Sequence, residues 1–432
     1  MIFDRYMREF IYALTLVSSF LVPTMMSLLG GNEVYEDGQH SPALIAFKML
    51  TGALTIVLVL MNIRRNYKRV YTLFYWLPVV LIIVYLLEYM FIPVEAHKLA
   101  LKGFLIFLVY SVPNILLGVD VAHGDELQKM FKYVYYLVLF MSIAIAVSIP
   151  SSLATGSVVL GGTHYQAISY ISAFCYGVVL YVLLFKPVYI HRLFLGKIFS
   201  IISMVFLILL TVNIFISGGR GGVLLLIANT LVLFFLYFKQ KKMLLKGVLL
   251  FVGILASFIV LLFFVISNND ELSTIFEYGF NRAFSYISDS GGIDMDGVSN
   301  RDIHYGWAFD HISESPLYGY GFFRSYGLFF YPHNIFLEVM LDGGVPFLSF
   351  VILLMIYTFN KLVRILKQSF SYACIIPCFI YPVVHLFVSA TYKHHSIFWF
   401  CLSFIMSFIL FQNSKIKNED RNVSLWDSSR NH

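Results

Sequence analysis

Charge is what this chain has least of. Only 12% of its 432 residues are Asp, Glu, Lys or Arg, against about a quarter in an ordinary soluble domain. With 59% hydrophobic residues and a mean hydropathy of +0.80, such a chain would aggregate in water. That excludes a typical soluble enzyme and makes the bilayer the expected solvent. Cysteine is scarce too. Cys175, Cys374, Cys378 and Cys401 all lie in apolar runs, which excludes a disulfide framework. They read as small buried hydrophobes, although Cys374 and Cys378, at i,i+4, would share a helix face. Solenoid repeats and low-complexity tracts are missing as well.

Long apolar runs are what the chain has in quantity. A spanning helix needs about 20 apolar residues, and in lipid such runs must close their own backbone hydrogen bonds, so they are helices. Twelve spans are expected, near 10–29, 43–62, 72–91, 99–118, 132–150, 165–185, 198–216, 223–238, 247–267, 335–359, 371–391 and 396–412. The first follows Arg5 and Arg8 without a small-residue cleavage site, so it reads as an anchor. The eighth is short and should recruit the glycines before it. This divides the chain into helices 1–9 over 1–267, a large external loop over 268–334, helices 10–12 over 335–412, and a polar tail over 413–432.

Loop charge orients the frame. If the N-terminus is cytoplasmic, 22 of the 30 Lys and Arg fall on or beside cytoplasmic segments, as the positive-inside rule requires. Both termini are then cytoplasmic. The net charge of +6 is a topology signal and not a nucleic-acid footprint. The 268–334 loop is too long for a simple connection, and helices over about 271–288 and 301–315 are expected on the membrane surface, with a turn near 288–292.

Polar residues that could carry chemistry cluster at the outer face. Ser217-Gly218-Gly219-Arg220-Gly221-Gly222 lets the backbone break and approach a ligand. The start of the next helix favours an anion, and Arg220 offers a fork that fits phosphate oxygens. The plainer reading is a tight turn with a snorkelling Arg. Arg301 opens an expected surface helix and Trp307 suits the interface; Arg282 and Arg324 read more simply as headgroup arginines. His333 precedes the tenth span, with Asn334 as its N-cap. There a neutral imidazole could take a proton from a hydroxyl. Glu338 lies one turn further in, where a carboxylate is usually paired. Asp342-Gly343-Gly344 should let another helix or a substrate come close. Lys393-His394-His395 reads as a polar turn, since a metal site would need a third ligand. Glu88 and His385 lie within spans, without a partner evident in the sequence.

Together, Ser217 to Gly222, Arg301, Trp307, Pro316-Leu317-Tyr318-Gly319-Tyr320-Gly321, and His333-Asn334-Ile335-Phe336-Leu337-Glu338 followed by Gly343-Gly344 resemble the bacterial O-antigen polymerase and O-antigen ligase superfamily. The resemblance implies an all-α, GT-C-like polytopic fold in the bacterial inner membrane with its active site on the periplasmic face. It implies a metal-independent, inverting glycosyltransferase with no cofactor. The donor would be a glycan on undecaprenyl diphosphate. Arg220 and Arg301 would hold the diphosphate, with Arg282, Asn334, Glu338, Gly219 and Gly221 also in the substrate site, and His333 would be the base. The expected activity is polymerase, joining lipid-linked repeat units. A chain-length regulator is a candidate partner, and nucleic acid is not. Ligation to lipid A–core is the alternative. A lipid-linked oligosaccharide flippase fits less well, because the two halves are dissimilar and the polar residues lie at one face.

Overall fold

The computed structural model describes residues 2–29, 41–65, 73–91, 94, 97–123, 125–155, 165–243, 301–323 and 332–408. The expected ninth span, the helix and turn over 271–292, Arg282, Arg324 and the tail over 413–432 lie outside these residues. The described residues are helical, and no strand occurs among them. We label the helices α1 (Ile2–Leu28), α2 (Pro42–Arg65), α3 (Leu73–Tyr89), α4 (His97–Tyr110), α5 (Val112–Val121), α6 (Glu126–Thr155), α7 (Tyr165–Phe185), α8 (Lys197–Ser217), α9 (Arg220–Gln240), α10 (Arg301–Glu314), α11 (Ile335–Gln368) and α12 (Ile375–Val388). The last, α13, covers Ser396–Phe408.

Nine segments among the described residues are long and apolar enough to cross a membrane, with α4 and α5 sharing one, and two shorter apolar helices cover Tyr75–Tyr89 and Ser396–Phe408. The chain is a multi-pass membrane protein. Its outer surface shows why it needs lipid. On α8, Ile198, Ile201, Val205 and Ile208 form one stripe, each about half exposed or more. Soluble monomers rarely expose a contiguous apolar stripe of this kind.

The interior is aromatic. Phe20 and Phe174 lie 4.8 Å apart by ring centroids, Tyr85 stacks on Phe104 at 3.8 Å, and Phe323 meets both Tyr85 and Phe107 edge-on. With no hydrophobic drive between helices in lipid, such packing and interhelical hydrogen bonds hold the bundle together. The main helix packing is α7 against α8 and α9, and α1 against α2 and α6, with α12 seated on α9 and α7. The four cysteines are buried free thiols.

Two breaks shape the functional end. The first is the glycine corner between α8 and α9. Gly218, with φ 63°, closes α8 by donating to the Phe215 carbonyl, and α9 starts at once at Arg220. The short eighth span therefore does take in the glycines ahead of it. The second lies within α11, where Gly343 and Gly344 leave helical geometry. A helix break frees carbonyls that must find donors, and residues 316–321 supply them. Tyr320 donates to the Leu341 carbonyl at 2.6 Å, Gly321 to that of Asp342 at 2.8 Å, and Val345 donates back to the Pro316 carbonyl at 2.8 Å. What approaches the glycine pair is thus the chain's own 316–321 turn. Glu88 of α3 holds the far end of that turn, accepting from the Phe322 and Phe323 amides at 2.8 and 2.9 Å. This is the partner its sequence left unnamed.

Candidate active site

His333 stands at the mouth of α11. Asn334 caps that helix, its side-chain oxygen accepting from the Phe336 and Leu337 amides at 2.9 and 3.4 Å. His333 itself has φ +53°, a left-handed conformation that costs a non-glycine residue about 1–3 kcal/mol and persists only where its surroundings impose it. Its ring is held from the opposite side. Nδ1 lies 3.3 Å from the Ser389 carbonyl, at the end of α12. A carbonyl only accepts, so Nδ1 carries the proton, which makes Nε2 the basic nitrogen of the neutral ring.

A second imidazole meets the first. The His304 ring, on α10, lies 5.7 Å from that of His333, edge to face. Arg301 is the first residue of α10, one helical turn before His304. α10 packs on α11 through Ala308, Ile312, Leu337 and Leu341, with Trp307 beside them. Trp307 also lies 4.2 Å from the His311 ring, so its place is within this helix pair. His304 is a residue that the sequence reading missed. Its i,i+3 spacing from Arg301 was there to be read, but only the docking of α10 on α11 brings it to His333.

Arg220 lies at the other corner, as the first residue of α9. The glycines around it serve close packing. A Cβ on Gly221 would lie 1.7 Å from the Tyr170 hydroxyl, and one on Gly219 would lie 2.5 Å from Ser169 Cβ. Ser169 Oγ also donates to the Gly219 carbonyl at 3.0 Å. The close approach at these glycines is thus to α7. From Tyr170 the contacts run to His385, whose carbonyl accepts from the Ser389 amide. The Tyr170 ring lies 4.1 Å from that of His385, and His385 Nδ1 lies 3.1 Å from His395 Nε2. Burial, with His385 beside it, holds His395 well below the usual imidazole range, so one neutral ring donates to the other. His394 turns instead to the Gly103 carbonyl at 3.3 Å. The two histidines thus divide between different partners and do not pair on one site.

Glu338 and Asp342 face inward from α11 and are almost fully buried. Lys393, equally buried, lies 2.7 Å from Asp342 Oδ1 and 3.7 Å from Glu338 Oε1. Thr391 Oγ1 donates to Glu338, the Tyr392 amide reaches it at 3.4 Å, and the Tyr392 hydroxyl donates to Asp342 at 2.5 Å. Burial, then the Asp342 and Glu338 charges, push the Tyr392 hydroxyl far above its usual range, so it stays a donor. Glu338 is therefore paired with a lysine of the 389–395 turn.

Residues 205–352 match the family model described as O-antigen ligase. Over this segment the chain is similar to the O-antigen polymerase and ligase superfamily, which supports the resemblance seen in its motifs. The matched segment takes in Arg220, Arg301, His304, His333, Glu338 and Asp342. Members of this family are glycosyltransferase-like enzymes. No curated protein and no solved structure matches the chain.

Proposed function

We propose that the protein is an O-antigen polymerase. It would join undecaprenyl-diphosphate-linked repeat units on the periplasmic face of the inner membrane, by inverting transfer that needs no metal. The observation that carries this reading is the corner where the His333 and His304 rings meet at 5.7 Å, one turn from Arg301, inside a segment that matches the family.

The chemistry is a single displacement. His333 Nε2 takes the proton of the acceptor hydroxyl as that oxygen attacks C1 of the donor sugar. The bond from C1 to the diphosphate oxygen breaks, and the lipid diphosphate leaves with its electron pair. Charge builds on the leaving group, so permanently charged guanidiniums suit it. Arg220 and Arg301 fill that role, each able to bind two oxygens at once. Since an ammonium cannot make the two-point contact, Arg220→Lys is expected to lower turnover about tenfold or more. Steady-state rates on a lipid-linked repeat unit measure this. Wild-type turnover would reduce Arg220 to a structural part of the glycine corner.

The family description, O-antigen ligase, favours a second reading, transfer of the finished glycan to lipid A–core. The surface glycan of a deletion strain separates the two. Core bearing one repeat unit supports the polymerase. Bare core with lipid-linked polymer accumulating supports the ligase. Unchanged glycan removes both.

A further inference from the structure

We propose that Lys393, with Asp342 and Glu338, is a positioning device for His333. The inference rests on the reading of His333 as the base. His333 is oriented by a carbonyl, that of Ser389, and that carbonyl belongs to a chain end that needs fixing. Ser389 lies just beyond α12, where its amide donates to the His385 carbonyl at 2.8 Å. Ahead of α13 stands the 389–395 turn, and opposite it stands His333, two residues before α11 begins.

What locks the turn to α11 is the buried ion cluster. Thr391 and the Tyr392 amide bind Glu338, one turn into α11, and Lys393 and the Tyr392 hydroxyl bind Asp342, one turn further. The Lys393 carbonyl is tied in turn to α5, accepting from Ser111 Oγ at 2.6 Å. Satisfied buried polar networks rigidify the elements they join. Removing one partner of a buried pair leaves the other uncompensated. The cluster also faces the helix break. Asp342 offers its backbone carbonyl to Gly321, and Lys393 Nζ lies 5.5 Å over the Phe322 ring. Lys393 thus sits where the 316–321 turn, the 389–395 turn and the helix after His333 meet.

The test is a double-mutant cycle on protein in detergent, with kcat and KM measured on a lipid-linked repeat unit and folding followed by thermal melting. Asp342→Asn leaves the Lys393–Glu338 pair in place. Lys393→Met/Asp342→Asn removes one charge of each sign, so the buried net charge does not change. For each we expect kcat to fall about tenfold or more, because a small misplacement of the base is enough, with KM within about threefold of wild type. Added to His333→Ala, either change should alter the residual rate by less than about twofold, since its effect passes through His333. Wild-type kcat in either variant that melts like wild type overturns the proposal. So does a loss that multiplies with that of His333→Ala. Full activity in His333→Ala itself would remove the reading of His333 as the base, and the proposal with it. An inactive His333→Ala beside fully active Asp342→Asn would remove the positioning role alone.

Discussion

His333→Ala is expected to lose at least about a hundredfold in transfer rate, the usual scale of a positioned general base, while the protein still inserts and folds. Three features single out this residue. Its backbone is left-handed at φ +53°. Its Nδ1 is bound to the Ser389 carbonyl, which leaves Nε2 as the basic nitrogen. Its ring meets that of His304, one turn from Arg301. The strain itself supplies a control. Glycine adopts positive φ without cost, so His333→Gly should be at least as stable as His333→Ala and equally inactive. Rates on a lipid-linked repeat unit, read beside melting temperatures, check both. An active His333→Gly would mean that the imidazole takes no proton.

The second large effect is structural. Gly344→Ala should unseat the 316–321 turn from the break in α11. Gly344 sits at φ 65°, ψ −164°, a region essentially reserved for glycine, where another residue costs about 1–3 kcal/mol. A Cβ there would also lie 2.4 Å from the Leu317 carbonyl carbon, and such overpacking costs a further 1–3 kcal/mol or so. Gly319 faces the same break from the other side, with φ +60° and a Cβ that would meet the Leu341 carbonyl oxygen at 2.6 Å. Since the turn donates to the Leu341 and Asp342 carbonyls, its loss strips the break of its donors. The expected result is a sharply lowered melting temperature and little recoverable protein. A variant as stable as wild type would show that the turn does not clasp the break.

The sequence was informative where periodicity and composition decide structure. Among the described residues the apolar runs mapped onto helices, and Asn334 capped α11 as its place before an apolar run implied. The glycine pair at 343–344 signalled a close approach, but only the fold names what approaches. That partner is the 316–321 turn, more than 20 residues away in sequence. The polar singletons were least legible. Glu88 stood out within its span but without a partner, and Lys393 and His304 look ordinary in their own windows. Their roles come from partners 234, 51 and 29 residues distant, Phe322, Asp342 and His333, and no local pattern encodes such pairings. The glycines near Arg220 were ambiguous for a different reason. Small residues suit a ligand and a neighbouring helix equally, and the contacts with Ser169 and Tyr170 give them the helix.

The central claim is that His333, with Arg220 and Arg301, joins one lipid-linked repeat unit to another. Purified protein in detergent, given only undecaprenyl-diphosphate-linked repeat unit and no lipid A–core, tests it most directly. The account predicts a ladder of longer lipid-linked glycans that disappears with His333→Ala. A lipid-linked repeat unit left unextended by the wild-type protein, or a ladder that persists in His333→Ala, would contradict it.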